Sequence, residues 1–236
     1  MPREGRSCLA SRRWRAVTVD AVEWSSLHLE GPDTWTYLNG QLTQDMTSVT
    51  ASAWSALLEP DGRVITALVV RPTGSGADVI VPRSLMDEAH QRLRRFMLRI
   101  KCDLSFGTDV VEAPMNDDER WRTRFPGPSE FARGLLPHAF GDAFVARTVS
   151  FTKGCFTGQE IVGRMDARGA SMPWRLVYAS GSSAEAIDEL LRSAGPAGPS
   201  GVTSYRELPS GVECLGIAHR SLQNSDAGAG AAIEFV

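Results

Sequence analysis

The residues best suited to do chemistry lie in segment 151–165, which reads Phe-Thr-Lys-Gly-Cys-Phe-Thr-Gly-Gln-Glu-Ile-Val-Gly-Arg-Met. Thr157 and Glu160 have the spacing of a capping box, and the apolar residues after them predict a short helix that begins just after Thr157. Cys155 then lies just before a helix N-terminus and two residues after Lys153. Because a helix N-terminus and a neighbouring cation both favour thiolate over thiol, Cys155 is the predicted reactive thiol.

Two glycines, Gly154 and Gly158, stand on either side of this thiol. Glycine permits backbone conformations that are closed to other residues, and it lets a ligand approach the backbone closely. A purely structural alternative stays open, in which the glycines serve a tight turn, Glu160 caps the helix and Cys155 packs.

The cysteines are few and scattered. Cys8, Cys102, Cys155 and Cys214 are 94, 53 and 59 residues apart, with no C-x-x-C pair and no histidine spaced to complete a zinc site. We therefore predict no metal site. Separated thiols are typical of a reducing cytoplasm rather than of a disulfide framework, so the expected location is cytoplasmic. Cys102 and Cys214 alternate with apolar neighbours in strand-like segments, and both are expected in the core.

The first half of the chain predicts the elements that must position this segment. Residues 25–30 alternate as a strand and lead into a helical stretch. Two apolar runs, 53–58 and 64–70, flank Glu-Pro-Asp-Gly and predict a hairpin. Ser84 precedes an amphipathic helical pattern, and we expect its arginine-bearing face, which includes Arg92, to be solvated.

The second half predicts an irregular stretch followed by a β-rich unit. Residues 113–142 are rich in proline, glycine and charge, which indicates a long excursion of a kind that is often functional. Ser182 and Glu185 have capping-box spacing and predict a helix over 184–191. The strand-like segments of this half are 174–179, 202–207, 212–219 and 231–236.

Composition limits the class of protein. The chain has 236 residues, of which 42% are hydrophobic, and a formal net charge of −3, which favours one large or two to three small globular domains. This balance fits neither a disordered acidic tail nor a basic nucleic-acid-binding module. Run 64–70 is far shorter than the roughly 18–20 apolar residues of a membrane span. We expect no direct nucleic-acid partner and no membrane partner, and a solvated, poorly ordered arginine-rich N-terminus.

Three motifs carry a resemblance to a known family. Residues 153–160 match K-G-C-[FY]-x-G-Q-E at every fixed position, and this pattern resembles the signature of the YgfZ branch of the GcvT-like folate-binding family. Residues 31–45 resemble the family's G-x-D-x-x-x-[FY]-L-x-x-Q-x-T-x-D stretch. Residues 57–64 resemble its L-L-x-x-x-G-[RK]-[VI] hairpin. The similarity runs from about residue 25 to about residue 220.

The resemblance implies an α+β fold with a GcvT-like body of two intertwined α+β parts, built from mixed or antiparallel sheets with helices, and a small C-terminal β-barrel. The implied boundaries are 1–24 for a poorly ordered or strand-forming N-terminal segment, 25–168 for the folate-binding body and 169–236 for the barrel-like domain. The implied cofactor is tetrahydrofolate, bound in a central channel. The implied role is to support assembly or repair of iron–sulfur client proteins, and through them tRNA modification.

The motif positions supply the candidate site residues. Cys155 is the candidate reactive thiol and Lys153 its neighbouring cation. The residues that the resemblance assigns to folate are Gln41, Thr43, Asp45, Gly154, Gly158, Gln159 and Glu160. Arg164, which lies outside the matched positions, is added as a candidate partner for the glutamate tail of folate, because that tail needs cations.

One departure from the family separates two functions. True aminomethyltransferases carry G-G-[IV]-[IL]-D-D at the hairpin, whereas this chain has Thr66 and Ala67 in place of the acidic pair. Loss of a group that moves protons typically costs 10²-fold or more in rate, so aminomethyl transfer is disfavoured and enzymatic activity is left open. The alternative is a folate-dependent one-carbon transferase or demethylase that uses Asp45 or Glu160. A cysteine hydrolase with His138 as its base is a third, weaker hypothesis.

Overall fold

The computed structural model describes residues 17–18, 21–108, 111–169, 172–222 and 231–236, and of residues 17–18 only the backbone. The strands are β1 (Val17–Thr18), β2 (Trp24–Glu30), β3 (Ala53–Leu58), β4 (Val64–Pro72), β5 (Gly76–Pro82), β6 (Asp103–Phe106), β7 (Trp174–Gly181), β8 (Gly201–Leu208), β9 (Gly211–His219) and β10 (Ala232–Phe235). The helices are α1 (Thr34–Gln41), α2 (Met86–Arg94), α3 (Asp117–Thr123), α4 (Pro128–Phe131), α5 (Asp142–Thr148), α6 (Gln159–Arg168) and α7 (Ala184–Ser193). Cys8 and the arginine-rich start of the chain lie outside the described residues.

The first sheet has the strand order β3-β4-β5-β2-β6, and every pairing in it is antiparallel. The predicted hairpin is confirmed as β3 and β4, and the predicted strand at 25–30 as β2. One face of this sheet packs against α1 and α2 through fully buried side chains such as Leu38, Leu68 and Leu93. Burial of this apolar face holds α1 and its C-terminal end against the sheet.

The second sheet has the order β1-β8-β9-β7-β10. β1 pairs with β8 in parallel, and the remaining pairings are antiparallel. All four predicted strands of the second half are confirmed, and α7 covers one face through Ile187 and Leu191. The fold class, α+β, is confirmed as well. The predicted barrel is not, because in the described part of the chain β1 and β10 are the two ends of the strand order.

The segment between the sheets is more regular than predicted. Residues 113–142 were expected to be irregular, but they contain α3, α4, a 3₁₀ turn at Pro137–Phe140 and the start of α5. Each piece is too short for a helical period to show in the sequence. A chain of aromatic contacts joins them, with Phe140 5.3 Å from Phe131 and 5.4 Å from Phe144 between ring centroids. This cluster continues into apolar residues of both sheets, so the segment forms the core between them.

Two predicted caps are wrong. Ser84 lies in a 3₁₀ turn, Arg83–Leu85, and makes no capping hydrogen bond, because α2 begins only at Met86. Helix α7 is capped by Ser183 rather than Ser182. Ser183 has the extended backbone of an N-cap residue, and its hydroxyl accepts a hydrogen bond from the backbone N–H of Ala186 at 3.2 Å.

The arginine face of α2 is also not uniformly solvated. The Arg92 side chain is only 1% exposed, and its Nε donates to the carbonyl of Leu58 at 2.9 Å. A buried arginine is stable only when its N–H groups find acceptors, and here a carbonyl 34 residues earlier in the chain supplies one.

No helix among the described residues is both long enough and apolar enough to cross a bilayer.

Candidate functional site

The loop before α6 is held to the rest of the protein by Lys153. Its Nζ donates to the backbone carbonyls of Asn39, Leu42 and Gln44 at 2.5, 2.7 and 2.9 Å. An ammonium group has three protons, so each one has a carbonyl acceptor. Asn39 lies in the last turn of α1, and Leu42 directly follows the helix. The helix dipole is negative at this end, so a cation is favourable there. Lys153 therefore anchors the loop to the end of α1.

Burial has a measurable effect on this lysine. Removal from water disfavours the charged amine and lowers the pKa of Lys153 to about 8, while the nearby carboxylate of Asp45 opposes the shift. Asp45 itself accepts from both the N–H and the hydroxyl of Thr47, at 2.9 and 2.6 Å, and these bonds lower its pKa. Both bonds are made by Oδ1, so this oxygen of Asp45 is bound within its own turn.

A second contact joins the motif to α1 through polar side chains. The backbone N–H of Thr157 donates to the carbonyl of Gly40 at 3.1 Å, and the Thr157 hydroxyl donates to Oε1 of Gln41 at 3.3 Å. Nη1 of Arg92 donates to the same amide oxygen at 3.1 Å. Gln41, the last residue of α1, therefore connects the motif to α2.

The predicted helix after the thiol is confirmed as α6, but its capping box is wrong. The N-cap is Gly158 in the left-handed conformation, with φ +87°, and no side chain caps α6. A Cβ added to Gly158 would lie 2.9 Å from the carbonyl oxygen of Glu59 and 3.2 Å from the Cα of Gly62. Gly158 is therefore required both by its conformation and by the close packing of the motif on the β3–β4 turn.

Cys155 is exposed on the loop that these contacts hold in place. Gly154 beside it has open space around it. Because the three protons of Lys153 are already bound to carbonyls, the lysine has none left to donate to a thiolate. The predicted activation of Cys155 by Lys153 is therefore not a direct hydrogen bond.

The other predicted folate residues lie in different surroundings. Thr43 is fully buried, and its hydroxyl donates to the carbonyl of Thr148 at 2.6 Å and accepts from the N–H of Ala56 at 2.8 Å. Gln159 accepts at its side chain from the N–H of Phe156 at 3.3 Å. Glu160 and Arg164 pair with each other on the solvent side of α6 at 2.5 Å, with side chains 75% and 60% exposed.

A separate cavity of about 190 Å³ lies between the first sheet and the α3–α4 segment. Its walls are largely apolar, and they include Trp24, Met115, Phe125 and Phe131. None of these residues stands out in the sequence, because they come from segments some 100 residues apart. The composition of 113–142, which indicated a functional excursion, was the one signal that pointed to part of this wall.

Arg120 is the main polar group of this cavity. Its side chain is only 7% exposed, and its Nε and Nη1 have no hydrogen-bond partner among the described residues. Two further buried polar atoms on the cavity lining have no partner there either, Oδ1 of Asp117 and Nε1 of Trp24. Buried polar groups are normally hydrogen-bonded, so these unpaired atoms are exceptions in the wall of the cavity.

The buried Glu130 holds Arg120 in place. One Glu130 oxygen accepts from Nη2 of Arg120 at 2.9 Å and from the N–H of Gly127 at 2.6 Å, and the other accepts from the hydroxyls of Thr203 and Ser204 at 2.5 and 2.6 Å. Both oxygens of this carboxylate therefore have partners, and the Glu130 side chain fixes the position of the Arg120 guanidinium in the cavity wall.

The hairpin that departs from the family pattern reaches this cavity. Ala67 lines it, whereas the Thr66 hydroxyl donates to the Ala67 carbonyl. Ala67 occupies the second acidic position of the G-G-[IV]-[IL]-D-D pattern. The cavity wall therefore has a methyl group at the position where an aminomethyltransferase of that pattern has a carboxylate.

An open groove of about 450 Å³ adjoins the cavity, because Phe125 and Pro126 line both. Two cations line the groove. Arg147 lies 5.2 Å from the Trp54 ring centroid and 5.6 Å from that of Phe125. Arg124 lies 4.7 Å from the ring of Tyr178 and pairs with Glu234.

The remaining chemistry-bearing residues lie elsewhere. Cys214 is buried in the core as predicted, and burial raises the pKa of its thiol to about 12. Cys102 is half-buried against the core of the first sheet. His138 lies 3.8 Å from Asp166, and burial lowers its pKa. The described contacts do not join His138 to Cys155. Within the described ranges, no group of three His, Cys, Asp or Glu side chains could hold a metal ion.

Comparisons with known proteins concern the family and the fold of the chain. No protein-family model matches the chain. The tRNA-modifying protein YgfZ of Sodalis glossinidius (strain morsitans) is 22% identical over an alignment of 244 residues, which covers 72% of this chain and 74% of that protein. An uncharacterized protein of Haemophilus influenzae is 24% identical over 195 residues, which covers 65% of this chain and 70% of that protein.

Among solved structures, the glycine cleavage system aminomethyltransferase T from Bartonella henselae superposes with a TM-score of 0.61 at 12% identity. The match covers 90% of this chain and 82% of that protein. At this identity the match concerns the fold alone. These similarities support the resemblance to the YgfZ/GcvT-like family that residues 153–160 indicate, and the chain has the fold of the aminomethyltransferase.

Proposed function

We propose that the protein binds tetrahydrofolate with the pterin ring in the Arg120 cavity. The similarity to YgfZ and the aminomethyltransferase fold support a folate-binding function of this type in general. The observation that carries the proposal is a largely apolar cavity with Trp24, Phe125 and Phe131 in its wall and three polar residues, Asn116, Asp117 and Arg120, in the same lining. A pterin ring is flat, so it suits an apolar slot, and its N–H donors and ring-nitrogen acceptors suit the few polar residues of the wall.

The size of the cavity favours partial enclosure of the ligand. Pockets that enclose a whole drug-sized ligand measure roughly 300–1,000 Å³, whereas this one measures about 190 Å³. It takes the ring but not the aminobenzoyl-glutamate tail. We propose that the tail passes Phe125 into the adjoining groove, where the guanidinium groups of Arg124 and Arg147 attract its carboxylates. Arg124 precedes Phe125 in the chain and Arg147 lies 5.6 Å from its ring centroid, whereas Arg164 lines neither the cavity nor the groove.

Binding without aminomethyl transfer is the form of the proposal that the site favours. Ala67 supplies no carboxylate to the cavity, and neither Asp45 nor Glu160 lies on its wall. The carboxylates that the alternative function invokes are therefore absent from the described lining, whose acidic residue is Asp117.

We further propose that Cys155 acts on protein partners at the surface, in support of iron–sulfur enzymes and, through them, of tRNA modification. The thiol is exposed on a loop that Lys153 and Thr157 hold in place. Because an iron–sulfur cluster usually takes four cysteine ligands, a single thiol would share any metal with a partner.

Calorimetric titration of the purified protein with tetrahydrofolate tests the folate proposal. Ala67→Leu places a larger side chain in the cavity wall, and we expect it to abolish binding in a protein that still unfolds cooperatively on heating. Glu160→Ala removes an exposed motif residue, and we expect it to bind as the wild type does. Binding that survives Ala67→Leu and is lost in Glu160→Ala would place the ligand at the motif and refute the cavity assignment.

A deletion strain tests the role of the thiol separately. Cys155→Ser should fail to restore the activity of iron–sulfur enzymes that modify tRNA, measured as the abundance of the modified nucleosides. Cys102→Ser is the matched control, since it changes a half-buried thiol elsewhere. Full complementation by Cys155→Ser would refute the thiol role and leave the folate proposal intact.

A further inference from the structure

The turn between α2 and β6 displays a leucine to solvent. Leu98 is 84% exposed, the highest value among the exposed large apolar side chains of the described residues. Its neighbours Met97 and Ile100 pack against the core of the first sheet, so the turn is not frayed. The N–H of Ile100 donates to the carbonyl of Met97 at 3.1 Å, which places Leu98 and Arg99 at the tip.

This tip is held in a strained conformation. Arg99 has φ +64°, a left-handed value that glycine adopts freely and arginine rarely adopts. The turn is also anchored on the far side, where the N–H of Lys101 donates to a carboxylate oxygen of Asp33 at 2.8 Å and the Lys101 carbonyl accepts from the N–H of Asp33 at 3.2 Å. Strain that is held by tight anchoring is found where a side chain must be presented in a fixed position.

The sequence around the leucine is rich in positive charge. Residues 89–102 contain no aspartate or glutamate, although the whole chain has a net charge of −3. The cations of this stretch that are exposed are Arg94, Arg95, Arg99 and Lys101. Arg95 lies 3.4 Å from Glu59, the residue whose carbonyl packs against the motif glycine Gly158. The basic turn (residues 94–101) is thus connected through the β3–β4 turn to the Cys155 loop.

We propose that the basic turn is a docking surface for a protein partner that presents an apolar pocket rimmed by acidic residues. Leu98 would fill the pocket, and the surrounding cations would pair with the acidic rim. A few residues usually dominate the binding energy of an interface, and an anchor that is already held in its bound conformation loses less entropy on binding. The proposal does not depend on folate binding.

A protein partner fits the turn better than RNA. Single-stranded RNA is bound by open aromatic faces on which bases stack. Phe96 is the one aromatic residue of the turn; the guanidinium of Arg92 lies 4.3 Å from its ring centroid, and 37% of the residue is exposed, so the turn offers at most one aromatic face. The residue presented at the tip is aliphatic, which suits an apolar pocket.

Photocrosslinking of the full chain in its native cells tests the proposal. A photoreactive amino acid replaces Leu98, or, as the control, the exposed Leu208 of β8. We expect a protein adduct at position 98 that the control position does not form. The adduct is identified, the partner is purified, and its affinity for the wild-type chain is measured at low and high salt.

Three variants then decide the outcome. Leu98→Ser and the double reversal Arg94→Glu with Arg99→Glu should each weaken binding by about tenfold or more, and salt should weaken the wild-type complex because the rim is charged. The control reversal Arg71→Glu with Arg122→Glu should bind as the wild type does. Absence of a specific adduct, an adduct to RNA or to a second copy of this chain, Leu98-dependent binding to vesicles of anionic lipid, or an affinity unchanged by Leu98→Ser would each overturn the proposal.

Discussion

Replacing single glycines of the motif region by alanine should show which of them the backbone conformation and the packing require. Gly158 has φ +87°, and a Cβ there would lie 2.9 Å from a backbone oxygen and 3.2 Å from a backbone carbon, neither of which can move as a side chain would. The left-handed conformation costs a non-glycine residue about 1–2 kcal/mol. Overpacking adds about 1–3 kcal/mol, so Gly158→Ala should lower the free energy of unfolding by about 2–5 kcal/mol.

Gly154 and Gly163 provide matched controls. A Cβ on either would have nothing within 4 Å, and neither has a left-handed φ. Gly154→Ala should change the free energy of unfolding by no more than about 0.5 kcal/mol. Gly163→Ala should raise it by about 0.5–1 kcal/mol, because Gly163 lies inside α6, where glycine is a poor helix former.

Urea denaturation followed by circular dichroism measures all three free energies, and thermal unfolding should show the same order. At roughly 2–4 °C per kcal/mol for a chain of this size, Gly158→Ala should lower Tm by about 4–20 °C. If Gly154→Ala proves as destabilising as Gly158→Ala, the packing of the motif on the β3–β4 turn is not what requires glycine at position 158.

Three further predictions concern buried charge and caps. Because burial lowers the pKa of Lys153 to about 8, the unfolded chain binds more protons than the folded chain between that pH and the ordinary lysine pKa. The unfolding free energy of the wild type should therefore rise with pH across this window relative to that of Lys153→Met. A difference between the two proteins that does not change with pH would contradict the shift. Glu130→Leu should lower the free energy of unfolding by about 3–5 kcal/mol, because it leaves Arg120 buried without its carboxylate partner. A double-mutant cycle with Arg120→Leu measures the coupling, and the double variant should lose less stability than the two single variants together. Ser183→Ala should lower the unfolding free energy by about 1 kcal/mol, against little change for Ser182→Ala, measured by urea denaturation.

Strands and the hairpin were predictable because their signals are local. The alternation at 25–30 and the apolar runs on both sides of Glu-Pro-Asp-Gly depend on neighbours within a few residues. The start of α6 was predictable for the same reason. Its capping was not, since a Thr-x-x-Glu spacing does not reveal that Gly158 is left-handed and pressed against the hairpin turn.

The predictions that failed depend on contacts between distant segments. Arg92 belongs to an arginine-bearing helix face, and only the fold shows that a carbonyl of β3 lies within reach of its guanidinium. The cavity likewise joins Trp24, at the start of β2, to Arg120 and Phe125 of a stretch that was expected to be irregular. The motif residues, which hold the loop in place, are recognisable from their spacing in the sequence. The residues that line the cavity share no local spacing, so the sequence does not reveal them as a set.

The order of synthesis gives the Lys153 anchor a kinetic consequence. The carbonyls at the end of α1 are translated 109 to 114 residues before the lysine that binds them. At about 5–20 residues per second, roughly 5–20 s pass before that lysine leaves the ribosome's catalytic centre. During this interval the nascent α1 has no ammonium group at its C-terminal end. The loop that carries Cys155 can therefore reach its final position only after the first sheet has been made, so a chain arrested before residue 153 lacks both the anchor and the thiol.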